Sequence, residues 1–92
     1  MFKAFLITYE LRNKLIANYN PLFDEIKKVY KWWHYFPNVW IVVVNEDVAS
    51  LRGRLLPLIY QNDSLLIIEV RKISDGWLPS DAWQWINQNV SS

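Results

Sequence analysis

Phe2-Lys3-Ala4-Phe5-Leu6-Ile7-Thr8-Tyr9-Glu10 opens the chain as an apolar run ending in an acid, and Leu11-Arg12-Asn13-Lys14 follows it. So few polar residues over this length predict a strand over about Phe2–Leu11, lying inside a sheet with both faces covered. Side chains at the exit of such a strand are held by a rigid element, which is where a site is best positioned. Glu10 and Tyr9 are therefore the first candidate site residues. Two readings of Glu10 are open: an oxygen ligand for a divalent cation, or a solvated acid ending a strand.

Working outward, Asn18-Tyr19-Asn20-Pro21 reads as a loop and helix start. Asn20 suits the cap and Pro21 the first helical position. Leu22, Phe23, Ile26, Val29 and Tyr30 follow at helical offsets, with Asp24 and Glu25 early and Lys27, Lys28 and Lys31 late, as the helix dipole favours. Trp32-Trp33-His34-Tyr35-Phe36-Pro37 has no helical period and predicts a short strand or extended turn broken at Pro37. Val39–Val44 is a second firm strand whose branched residues predict burial on both faces. Asp47 then caps a helix whose apolar face is Val48, Leu51, Leu55, Leu58 and Ile59. Gly53 weakens that helix and Pro57 kinks or shortens it. Leu65–Val70 is a third firm strand. Ser80 caps a short closing helix, and Asn87 onward is expected to fray.

Strand, helix, short strand, strand, helix, strand, helix is a split βαβ pattern. The expected fold is a single α+β domain over residues 1–92, a ferredoxin-like βαββαβ sheet with a short C-terminal helix. The only glycines are Gly53 and Gly76, so no glycine-rich phosphate loop exists.

Composition narrows the function classes. The 92 residues are 52% hydrophobic and include six Trp, a large load for one small core. A homodimer that hides part of this surface is expected. The absence of Cys excludes disulfides, thiolate metal sites and cysteine nucleophiles. No run approaches the roughly 18 apolar residues that cross a bilayer, and no secretory leader pattern opens the chain; a cytoplasmic, non-membrane protein is expected. A net charge of +1 creates no strong field, so nucleic-acid binding requires a local basic patch.

Several constellations are chemically suggestive. One Glu10 per chain is too few for a tight Mg²⁺ or Mn²⁺ site, but two-fold symmetry doubles it where the strand ends meet, and a bound metal activates water against a phosphodiester. His34, the only histidine, is either a general base or a packed ring among aromatics. Trp32, Trp33, Tyr35, Phe36 and Trp40 are candidates for stacking on unpaired bases, beside Lys27, Lys28 and Lys31 for phosphates; the alternative use is core and dimer packing. Arg52 and Arg54, with Arg71 and Lys72, are the further candidates for a basic patch, against an ordinary solvated face.

Ala4–Leu11, Trp32-Trp33-His34-Tyr35, Val39-Trp40-Ile41-Val42 and Asn62–Val70 together resemble small bacterial proteins labelled as the SinR family. The resemblance spans nearly the whole chain, and the Trp-Trp-His-Tyr block is its most specific part. No helix-turn-helix of the repressor bearing that label is present. The group is similar to small CRISPR-associated ferredoxin-like proteins and to VapD toxin endoribonucleases. That resemblance implies a homodimer in which the acid ending the first strand lies near its symmetry mate and holds Mg²⁺ for cleaving RNA or DNA. It lands on Glu10, with Tyr9 beside it to orient substrate or water; the family usually has Asp there. On this reading Arg12, Lys14, Arg52 and Arg54 contact phosphates. The alternative is a non-enzymatic dimeric interaction or regulatory module that uses its Trp-rich surface.

Overall fold

Alternation along the first strand sets the architecture. In the computed structural model, which describes residues 2–13, 19–72 and 74–90, strand β1 covers Lys3–Glu10. Its odd positions Phe5, Ile7 and Tyr9 lie on one face of the sheet, and Ala4, Leu6, Thr8 and Glu10 alternate onto the other. The remaining elements are α1 (Asn20–Ile26), β2 (Lys31–Trp33), β3 (Val39–Val44), α2 (Val48–Leu55), β4 (Ser64–Glu69) and α3 (Ser80–Asn89). The strands form one sheet in the order β2-β3-β1-β4, and every neighbouring pair is antiparallel. β1, whose long apolar run predicts a place inside the sheet, lies centrally beside β3.

One face carries the main core. Phe5, Ile7, Tyr9, Trp40, Val42 and Val44 meet Leu22 and Ile26 of α1 and Leu51 and Leu55 of α2. Asp47 caps α2 by accepting the Ser50 N–H at 2.8 Å, and the helix tightens into a 3-10 turn at Leu56–Leu58, where Pro57 removes a donor. The other face is only partly covered. α3 packs Ile86 there, and Val90 just beyond it, against Ala4 and Val43, with Ile41, Val70, Trp83 and Trp85 around them.

Four local expectations need correction. α1 ends at Ile26, because Lys28 and Val29 turn back on Glu25 and Ile26 and free the chain to start β2. Tyr19, not Asn20, is the residue before α1, with no side-chain cap. Pro79 precedes α3 and Ser80 is its first residue. The chain end does not fray at Asn87: α3 runs to Asn89 and Val90 is buried in the second cluster.

Among the described residues no helix is long and apolar enough to cross a membrane.

Candidate functional site

Glu10 ends β1 opposite Ser64 of β4, and by alternation it belongs to the partly covered face with Leu6 and Thr8. It is exposed and pairs with the guanidinium of Arg12 at 3.1 Å. Both side chains are in water, so the pair adds about 0–1 kcal/mol and leaves both groups accessible. An open depression of about 300 Å³ lies at this end, bounded by Glu10, Thr8, Asn38, Ser64 and Leu66.

The loop after β1 is held by a polar knot. Asp63 accepts the Arg12 N–H at 2.7 Å and the Tyr60 N–H at 2.9 Å, and the buried Tyr19 hydroxyl donates to it at 2.8 Å. That hydroxyl in turn accepts from the Asn13 backbone and side-chain amides. Burial pushes the Asp63 carboxyl up, but the Arg12 and Tyr60 N–H groups, the Tyr19 hydroxyl and the Arg12 charge outweigh it and hold it below the usual range. The knot fixes Arg12 relative to Glu10. Asp63 is not among the candidates singled out from the sequence; its local signal is the tendency of Asp to bind nearby backbone N–H groups in turns.

The other candidate residues are scattered. Tyr9 is buried among the core side chains: its hydroxyl accepts from Trp40 Nε1 at 2.8 Å and donates to the Pro37 carbonyl at 3.1 Å. Burial raises its pKa, and the Trp40 hydrogen bond opposes that only in part. Arg52 is exposed on α2, in a groove that shares Leu65 and Leu66 with the Glu10 depression. Arg54 is committed elsewhere, between Glu25 at 2.8 Å and Glu46 at 2.9 Å, tying α2 to α1. Lys14 lies outside the described residues. His34 stacks on Trp40 with ring centroids 3.7 Å apart, and its Nε2 is 3.1 Å from the Pro37 carbonyl oxygen. That geometry matches the packed-ring alternative for His34.

Glu10 and Arg12 are thus together, Arg52 stands on α2, which covers the opposite face of the sheet, and Tyr9 and Arg54 face other partners. Among the described residues no three His, Asp or Glu side chains converge on one point. Asp63 has both carboxylate oxygens engaged, so Glu10 offers one protomer a single ligand, which by itself does not fit Mg²⁺.

No family model matches the chain, and no curated protein or solved structure matches it either.

Proposed function

We propose that this chain is a cytoplasmic ferredoxin-like homodimer that associates with nucleic acid and acts as a weak Mg²⁺-dependent nuclease, on RNA in preference to DNA. The strand order and the all-antiparallel pairing support the ferredoxin-like description. The observation that carries the functional reading is that Glu10 shares a face with an uncovered apolar surface. Cross-strand register aligns Trp33, Ile41, Leu6 and Ile68 in one row and Val39, Thr8 and Leu66 in the next. Leu66 and Ile68 are 56% and 52% exposed there. A second copy stacked on this face by two-fold symmetry hides them and brings Glu10 of each chain toward one interface. Two carboxylates then face each other where one did not suffice for the metal. Arg12 is the cation that holds a phosphate beside it.

The test is cleavage of labelled RNA and DNA with Mg²⁺ or Mn²⁺ by wild type and Glu10→Gln. Loss of cleavage in the variant supports the reading, and equal activity in both sinks the catalytic role. The Glu10–Arg12 ion pair favours one second reading, because it gives the carboxylate a partner without any metal. On that reading the protein is a non-enzymatic dimeric interaction or regulatory module, with no metal-dependent cleavage and no salt-dependent affinity for nucleic acid.

A further inference from the structure

β2 is a three-residue edge strand, and rings cluster beside it on the sheet face under α1. Trp32 packs on Trp40 with centroids 5.3 Å apart and remains 41% exposed. Tyr30, two residues earlier, is 65% exposed and rests on Phe2 at 4.7 Å. Tyr30 lies in the bend just before β2, and Trp32 is the middle residue of that strand. Each ring also carries an ammonium: Lys27 Nζ lies 5.5 Å from the Trp32 centroid and Lys31 Nζ 5.6 Å from that of Tyr30. Lys28 is paired with Glu25, but neither Lys27 nor Lys31 has an acidic partner among the described residues.

We infer that Tyr30 and Trp32, with Lys27 and Lys31, form a stacking platform for an unpaired segment of a single-stranded nucleic acid. Rings backed by other rings are held rigidly, so little ordering is needed to receive a base. Stacking a base on an exposed indole or phenol is a stronger contact than an exposed cation–π pair. A base therefore displaces each lysine from its ring, and the freed ammonium moves to the phosphate beside that base. A duplex keeps its bases stacked on one another and offers the rings nothing, so the platform selects single strands. The inference rests on the nucleic-acid reading above and adds to it a substrate class and a surface that excludes Glu10.

The experiment is fluorescence anisotropy with a labelled 15-nucleotide uridine strand and a duplex of equal length. Wild type, Tyr30→Ala, Trp32→Leu and the double Lys27→Ala/Lys31→Ala variant are compared at several salt concentrations. The platform predicts that wild type binds the single strand more tightly than the duplex. Tyr30→Ala is expected to weaken binding about 5- to 150-fold, the range for loss of one stacked base. The double lysine variant is expected to flatten the salt slope by about 1.4, the value for two phosphates on a single strand. Tyr30 is so exposed that its truncation leaves the core intact; circular dichroism of each variant checks this. Binding by wild type that is unchanged in Tyr30→Ala and Trp32→Leu overturns the platform and leaves the nucleic-acid reading standing. No binding by wild type overturns both.

Discussion

Tyr9→Phe separates a structural hydroxyl from a catalytic one. Tyr9 is 6% and Trp40 1% exposed, and the hydroxyl of one is the acceptor for the indole N–H of the other. Removing the oxygen leaves that N–H in the main core with no acceptor, while the Tyr9 ring keeps its place against Phe23. An unpartnered buried donor costs about 1–3 kcal/mol. The Pro37 carbonyl also loses a donor, but His34 Nε2 is close to it and the residue is exposed to water, so that loss adds little. The expected destabilisation is about 2 kcal/mol, which lowers Tm by about 8–16 °C in a domain of this size. Urea unfolding followed by far-UV circular dichroism gives the free energy directly. Trp40→Phe removes the donor, so Tyr9→Phe in that background is expected to cost clearly less. The pH axis gives a second reading. Burial raises the Tyr9 pKa above its ordinary 10.0, so the folded state favours the neutral hydroxyl. Its contribution is complete below about pH 10 and is lost as pH rises through the folded value. Wild type should therefore lose stability in alkali more steeply than Tyr9→Phe. A shift under about 0.5 kcal/mol, or an equal cost with and without Trp40, refutes the hydrogen-bond account.

Further variants probe other parts of the fold. A Cβ at Gly53 meets nothing within 4 Å, so Gly53→Ala should raise stability by about 0.5–1 kcal/mol, visible as a higher urea midpoint. Arg54→Met leaves Glu25 and Glu46 facing each other and should destabilise at pH 7. Hydrogen bonds from Lys28 and Arg54 lower the Glu25 pKa from 4.5, so this contribution is present above that pH and is lost as pH falls through the folded value. The gap between wild type and Arg54→Met, measured by unfolding at pH 7 and pH 3, should therefore shrink in acid; an equal gap at both refutes it. Ile68→Lys places a charge on the uncovered sheet face and should shift a dimer to monomer in sedimentation velocity, with the circular dichroism spectrum unchanged; a variant that sediments as wild type does removes that face from the interface.

Most of the strands were legible because their signals are local and agree with one another. β3 is unbroken in branched and aromatic residues from Val39 to Val44, and its observed limits are those same residues. α2 was legible from Asp47, Gly53 and Pro57 together. Periodicity extends α1 too far because Val29 and Tyr30 fall at helical offsets from Ile26, although both are also good strand residues. The next strand decides between the two, since β2 must pair Lys31 with Val43. The site was less legible. Periodicity puts Tyr9 and Glu10 side by side in sequence but on opposite faces of the sheet. One therefore faces Trp40 and the other faces water.

The sequence predicts that β1 has both faces covered, and its second face is covered by α3 only in part, around Ala4; β4, equally apolar, leaves Leu66 and Ile68 exposed. Leu65 and Ile67 of β4 pack into the core under α1 and α2, whereas Leu66 and Ile68 point to solvent beyond the reach of α3. A strand serving one chain alone would alternate apolar with polar residues, as antiparallel edge strands with one wet face do. β4 does not alternate: Leu65, Leu66, Ile67 and Ile68 run without a polar residue between them. Exposing Leu66 and Ile68 stabilises nothing in the isolated fold and invites edge pairing and aggregation. Burying them against a second copy gives both residues a use and carries Glu10, which lies on the same face, into that contact. On the dimer proposed above, the unused apolar face of β4 and the carboxylate at the end of β1 have one physical explanation, and Ile68→Lys and Glu10→Gln test its two halves separately.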